Sequence, residues 1–213
     1  MTATEHGEVT APRMAKSEAT RARIIAAAGK VLAETGYRHT RLSAIAAEAG
    51  MQTGSLYYYF DSKEELVEEA LDGGVRVVHE RVRGSVDDLP DPATAGERLF
   101  AAVRAFVKAR LEIGSMSPAH IRSYRDLPKD MRERLRPELE AFSSLWDQLV
   151  IAAIESGEIR NDIDPFVLHL FVVHTSEQII KWPDTVRTSI AHTTDVMVRL
   201  MTNGLEGPAH TKQ

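Results

Sequence analysis

Residues Thr40 to Phe60 read TRLSAIAAEAGMQTGSLYYYF. Leu42, Ile45, Ala46 and Ala49 recur at helical spacing behind Thr40, a residue type suited to an N-cap, and Gly50 supplies the stop. After Met51 and Gln52 the spacing predicts a second short helix over Thr53 to Tyr59. Leu56 and Phe60, four apart, take its buried side, so Tyr57 and Tyr58 project elsewhere. Upstream, Ile24, Ala28, Val31 and Leu32 mark a helix of about five turns between a Ser17 cap and a Gly36 stop. One long helix followed by two short ones across a glycine turn has the composition of a helix-turn-helix DNA reader.

The charge map agrees with that reading. The whole chain of 213 residues carries a net charge of −5, yet Arg13 to Lys63 hold eight Lys or Arg against four Asp or Glu. A positive segment in an otherwise acidic chain is what local phosphate binding requires, because cations release counterions only where they touch the duplex. Thr53 and Ser55 hydroxyls suit base edges, Gly54 permits close backbone approach, and tyrosine hydroxyls suit phosphate oxygens.

Working outward, 43% hydrophobic and 27% charged residues describe an ordinary globular chain of one or two units. The absence of cysteine excludes disulfide frameworks, thiolate metal sites and cysteine nucleophiles. No apolar run reaches the roughly 20 residues of a membrane span, and residues 1–16 lack the apolar stretch of a signal peptide, so a cytoplasmic location without membrane partner is expected. Those 16 residues read as a flexible arm, followed by a DNA-binding domain over 17–62 and a helical ligand-binding and dimerisation domain over 63–213.

Downstream, Asp61 or Ser62 caps a helix with Glu64 and Glu65 in its first turn, running to about Arg83. Ser85 to Pro92 reads as a loop. Leu99, Val103, Phe106, Arg110 and Ile113 mark the next helix, and Ser117-Pro118 opens a short one to about Asp126. Pro128 starts another, which Pro137 is expected to kink or split. Leu139, Phe142, Trp146, Leu149 and Ala153 continue the pattern. Two last helices span about Pro165 to Trp182 and Thr185 to Gly204. Nothing alternates with a period of two, so the fold class is all-α, an N-terminal three-helix unit plus a larger helical domain.

Arg23-Ile24-Ile25, Ala27-Ala28, Gly36-Tyr37, Thr40, Ile45-Ala46, Ala49-Gly50, Gly54 to Phe60 and Ser62 to Leu66 together resemble the DNA-binding domain of TetR-family transcriptional regulators. The resemblance implies a ligand-responsive repressor, dimeric through its last two helices, that binds a roughly palindromic operator in double-stranded DNA. Carried over, Thr53, Gly54 and Ser55 approach bases and Tyr57 and Tyr58 contact phosphate. Lys63 contacts the backbone, and Thr40 and Arg41 do so at the start of the second helix. Leu32 stands where the family often has phenylalanine, and Tyr59 where it often has histidine. Leu127-Pro128 to Leu139, Gly157 to Arg160 and Asp164-Pro165 are similar to family members that control fatty-acid and sterol breakdown, many of which answer to acyl-CoA.

Arg110 interrupts an apolar stripe, where a guanidinium is costly unless paired. With Phe106, Phe142, Trp146 and Met116, and with Met131 near another helix end, it outlines a ligand chamber with one cationic landmark. A mainly apolar effector with an anionic group is expected there, and the resemblance makes it an acyl-CoA thioester. Phe166 to Val173 is too apolar to face water, and Ile190, Met197, Val198 and Met201 offer a matching stripe, so a homodimer is expected. His169, His174 and Glu177 supply too few aligned ligands for a metal, and no cofactor motif is present. Two rival classes are a helical dimer acting through protein contacts alone and an enzyme. The basic flank of the reading helix opposes the first, and the absence of nucleophile-elbow, P-loop, dinucleotide and zincin motifs opposes the second.

Overall fold

A computed structural model of the chain describes residues 11–113, 124–179, 182, 183, 185 and 189–203. Its helices are α1 (Ala11–Thr35), α2 (Leu42–Glu48), α3 (Thr53–Leu56), α4 (Lys63–Asp87), α5 (Ala95–Ile113), α6 (Lys129–Glu155), α7 (Pro165–Gln178) and α8 (Ile190–Asn203). No β-strand occurs among the described residues.

Local chemistry sets most helix ends. Gly36, at φ 73°, stops α1, its N–H donating to the Leu32 carbonyl at 2.8 Å. Ser62 caps α4 by accepting from the Glu65 N–H at 3.0 Å, while the Glu65 carboxylate reaches back to the Asp61 N–H at 2.6 Å. Thr94 and Glu97 form the same reciprocal box at the head of α5, at 3.2 and 2.8 Å. At α7, Asp164 Oδ1 accepts from the Phe166 and Val167 N–H groups and Pro165 occupies the first turn.

Three apolar clusters hold these helices together. The first joins Ile24 and Ala28 of α1, Ile45 and Ala46 of α2, Leu56 and Phe60 around α3, and Leu66 and Ala70 of α4. The largest lies between α4 to α8 and includes Val78, Val82, Phe106, Trp146, Val172 and Met197. Between them sits a third: Leu32, Tyr37, Val67, Leu71, Leu127, Met131 and Leu135. Tyr37 is its keystone. Its hydroxyl donates to Glu64 Oε1 at 3.2 Å, and Lys63 Nζ lies 4.5 Å from its ring centroid. Around this joint, Arg38 pairs with Asp126 at 2.9 Å and Arg134 grips Glu68 through two hydrogen bonds of 2.6 and 2.7 Å.

Several expectations need correction. Helix α1 already includes Ala11 to Ser17, so Ser17 lies inside it rather than capping it. Thr40 does not cap α2: its hydroxyl donates to the Gly36 carbonyl at 2.8 Å, closing the end of α1 instead. Helix α4 continues past Arg83 to Asp87, since Val86 finds cover in the main core. Pro137 does not split α6, which runs unbroken from Lys129 to Glu155. Pro137 and Glu133 are both exposed, so water can bond the Glu133 carbonyl that the proline leaves without its helical donor. Met131 belongs to the joint rather than to a ligand chamber. Met197, Val198 and Met201 are buried against the core of their own chain, so they form no outward stripe. The short helix opening at Ser117-Pro118 falls outside the described residues up to Tyr124, where a 3₁₀ turn runs to Asp126.

Tyr37→Ala is expected to lower stability by about 3–5 kcal/mol, the usual cost of truncating a buried aromatic. Tyr37→Phe, which removes only the bond to Glu64, should cost about 0.5–1.5 kcal/mol. Burial first, then the Glu64 carboxylate, raises the Tyr37 phenol above its ordinary value. Its contribution is therefore complete below the unfolded value and is lost as pH rises through the folded one. Urea unfolding at neutral and alkaline pH tests both points, and Tyr37→Phe should lack the alkaline loss due to this phenol.

Candidate nucleic-acid interface and effector chamber

The turn between α2 and α3 is built by one glycine. Gly50 lies at φ 65°, a left-handed conformation that costs other residues a Cβ clash. From there the Gly50 N–H donates to the Ala47 carbonyl at 3.1 Å and the Met51 N–H to the Ala46 carbonyl at 2.9 Å. This paired closure of the α2 C-terminus is a Schellman motif, and Met51 packs back onto the first cluster to seal it. Helix α3 therefore leaves α2 at a set angle. Leu56 and Phe60 anchor its inner side.

What α3 presents outward is polar and open. Tyr57 is 58% exposed and Tyr58 87%, while Thr53 and Ser55 are half-buried. A Cβ placed on Gly54 would meet no atom within 4 Å, so this glycine is not demanded by packing inside the chain. Arg41 is exposed at the head of α2. Thr40 is not part of this surface: it is 2% exposed and its hydroxyl is committed to Gly36 and Thr35. Lys63 is half-buried, with Nζ donating to the Tyr37 carbonyl at 3.1 Å. The structure thus gathers Arg41, Thr53, Gly54, Ser55, Tyr57 and Tyr58 on the α2–α3 unit and leaves Lys63 at its joint with the larger domain.

Three of the local cations are already engaged. Arg21 pairs with Glu69 and lies 4.6 Å from the Phe60 ring centroid, Lys30 bonds Glu48 at 2.7 Å, and Arg38 bonds Asp126. They brace the unit as well as contributing to its charge. Beside it, the first half of α4 carries the opposite sign: Glu64, Glu65, Glu68, Glu69 and Asp72 line a groove with Arg134.

In the larger domain, Phe106, Phe142 and Trp146 form a ring cluster with centroids 5.5 to 6.1 Å apart. Arg110, one turn beyond Phe106 on α5, is 0% exposed. Met116 lies outside the described residues. Two histidines that the sequence did not assign to a ligand site border this ring cluster. His79 of α4 stacks near Phe142 at 5.4 Å and bonds Glu138 at 2.6 Å, and His169 of α7 lies 6.3 Å from Trp146 and bonds Asp147 at 3.1 Å. Their only advance signal was helical register with apolar neighbours. Tyr37 was likewise visible merely as part of a Gly-Tyr landmark. Among the described residues, no three His, Asp or Glu side chains converge as a metal site would require. No helix of the described chain is long and apolar enough to cross a membrane.

A glycine-pinned pair of short helices with an open polar reading surface, joined to a helical domain with an aromatic core, defines a helix-turn-helix DNA-binding regulator. Residues 24–70 match the model of bacterial regulatory proteins of the tetR family, and residues 92–205 match the tetracyclin repressor-like C-terminal domain. The chain belongs to the TetR family and is a transcriptional repressor by class, not an enzyme. It is 31% identical over 171 residues to the HTH-type transcriptional repressor KstR2 of Rhodococcus jostii, covering 76% of this chain and 78% of that one. The ketosteroid transcriptional regulator KstR2 of Mycobacterium tuberculosis superposes with a TM-score of 0.74 at 24% identity, covering 88% of this chain and 95% of that one. AibR, solved with isovaleryl coenzyme A and operator DNA, gives 0.69 at 22% identity, with 85% and 97% covered.

The two glycines of the reading unit should respond oppositely to alanine. Gly50→Ala is expected to cost about 1–2 kcal/mol through its left-handed backbone. Gly54→Ala, placed in helix with open space above it, should be neutral or stabilising by up to about 1 kcal/mol. Thermal denaturation of the two variants provides the comparison.

Proposed function

We propose that the chain represses transcription by binding a roughly palindromic operator as a homodimer and is released by a mainly apolar effector, an acyl-CoA thioester of lipid or sterol breakdown. The observation that carries the DNA half is the α3 surface, where exposed Gly54 and half-buried Thr53 and Ser55 lie beside exposed Tyr57 and Tyr58. In this reading Thr53, Gly54 and Ser55 meet base edges, Tyr57, Tyr58 and Arg41 meet phosphates, and Lys63 reaches the backbone from the start of α4. The head comprises α1 to α3 up to about residue 62, and the domain from Lys63 onward senses the effector and dimerises.

Exposed Phe166, Val167 and Phe171 on α7 support self-association, as does Leu200 on α8. Their inward counterparts Leu168 and Val172 hold α7 to the core, so the helix is apolar on two sides for two different reasons. A two-fold pair through this face brings two reading heads to successive half-sites of one palindrome.

The effector half rests on the ring cluster of Phe106, Phe142 and Trp146, with the buried Arg110 one turn beyond Phe106 on α5. In this reading the apolar part of the effector lies against the rings and its anionic group approaches Arg110. The isovaleryl coenzyme A in AibR and the ketosteroid role of KstR2 point the same way. Release follows only if the effector prefers one spacing of the heads: a hundredfold preference amounts to about 2.7 kcal/mol of coupling.

Selection of bound genomic fragments followed by mobility-shift titration tests the proposal. Operator affinity should fall steeply with salt, and Tyr57→Ala should weaken all sequences alike. Gly54→Ala should weaken operator binding without loss of fold, and changes at Thr53 should alter base preference by about 1–3 kcal/mol per contact. A monomer at micromolar concentration in ultracentrifugation would remove the palindrome. Operator affinity indifferent to every acyl-CoA tried would remove the effector class.

A further inference from the structure

Trp146 is completely buried, and its Nε1–H meets no acceptor among the described residues. Buried indole N–H groups are ordinarily paired, so one left over in a well-packed cluster calls for an explanation. Its surroundings narrow the choice. Phe106 and Phe142 offer ring edges and faces but no oxygen. The two carboxylates at the border are already engaged, Asp147 by His169 Nδ1 and Glu138 by His79 Nδ1. Arg110, one turn beyond Phe106 on α5, carries donors alone and offers the indole no acceptor. An unmet donor buried at the centre of the ring cluster selects an occupant that brings an acceptor.

We infer that the Trp146 indole N–H donates to the acyl oxygen of the effector, reading the carbonyl that joins its apolar chain to its polar head. The inference rests on the effector reading above and deepens it: Arg110 answers to charge, whereas Trp146 answers to a neutral acceptor set among rings. Such a donor discriminates strongly against an analogue lacking the carbonyl, since that analogue leaves the indole unpaired in an apolar site. A thioester and a free carboxylate share the acceptor chemistry, and the experiment separates them.

The full chain is labelled with ¹⁵N-tryptophan. Its two indole resonances, from Trp146 and Trp182, are assigned with Trp146→Phe. Acyl-CoA thioesters from isovaleryl- to stearoyl-CoA are titrated beside the matching S-alkyl CoA thioethers, which lack the carbonyl, and the free acids. A binding thioester should shift the Trp146 resonance. Trp146→Phe should weaken it about tenfold while leaving the thioether's affinity unchanged, the size of one net hydrogen bond. Sensitivity of a free acid to the same substitution supports the donor role and assigns the acceptor to a carboxylate. Equal losses for thioester and thioether overturn the donor role alone and leave Trp146 as wall. Binding by no compound overturns it together with the effector class, while operator binding by the ligand-free protein stands or falls separately. Should Trp146→Phe not fold, the parent's thioester-to-thioether ratio and the indole shift decide, and a ratio near one overturns the inference.

Discussion

Helix α4 takes part in all three apolar clusters, and the rest of the molecule is arranged around that constraint. Leu66 and Ala70 lie in the head, Val67 and Leu71 in the joint, and Val78, Val82 and Val86 in the main core. Successive residues such as Leu66 and Val67 thus face different neighbours. A rotation or tilt of α4 that improves packing in one cluster must disturb another, because close-packed interiors have few voids to absorb displacement. The joint around Tyr37 makes this coupling firm. Arg134 to Glu68 and Arg38 to Asp126 tie the start of α6 and the turn before it to α4 and to the segment after α1. An event among α4, α5 and α6 can therefore reach α3 through packed side chains rather than through a flexible linker.

Much of this was legible in the sequence, and the failures share one cause. Helix ends were readable where a local residue decides them, as at Gly36, Gly50, Ser62 and Asp164, because the chemistry of a cap lies within a few residues. The exposure of Tyr57 and Tyr58 followed from the four-residue spacing of Leu56 and Phe60 alone. Periodicity shows that a face is apolar but not which neighbour covers it. So Met197, Val198 and Met201 looked like an interface, whereas α5 and the main core already cover them. The same limit hid the joint: Leu32, Tyr37 and Met131 are far apart in sequence, and nothing local announces that they meet. The split expected at Pro137 is a separate case: the cost of an interior proline is reduced where water can reach the carbonyl it leaves without a donor, and α6 runs through it.

The larger domain mixes two kinds of polar burial. At its border, His79 with Glu138 and His169 with Asp147 are complete pairs that bridge α4 to α6 and α6 to α7. Deeper in, the Trp146 indole N–H lies among rings with no acceptor among the described residues. The first kind fixes helices relative to one another, and the second marks a place where an apolar core carries more polarity than stability alone would favour. Sequence patterning could flag Arg110 as an oddity on a stripe. It named Trp146 only as a wall residue, because an indole on an apolar face reads as ordinary core until its nitrogen is seen to lack a partner.

The acidic groove along the first turns of α4 has a consequence for how the protein finds its place on a chromosome. Glu64, Glu65, Glu68, Glu69 and Asp72 line this flank directly after a head that is locally positive, and pairing of Glu68 with Arg134, Glu69 with Arg21 and Asp72 with Arg76 leaves Glu64 and Glu65 as its carboxylates without an ion pair to Lys or Arg among the described residues. Within a screening distance of about 8–10 Å, duplex phosphates are attracted by one surface and repelled by its neighbour. Encounters in which the flank leads are shed before they mature, and the head tends to arrive face first. A carboxylate surface beside a cationic one would shorten dwell on arbitrary DNA sequence, since contacts made through phosphate alone are the ones that such repulsion weakens.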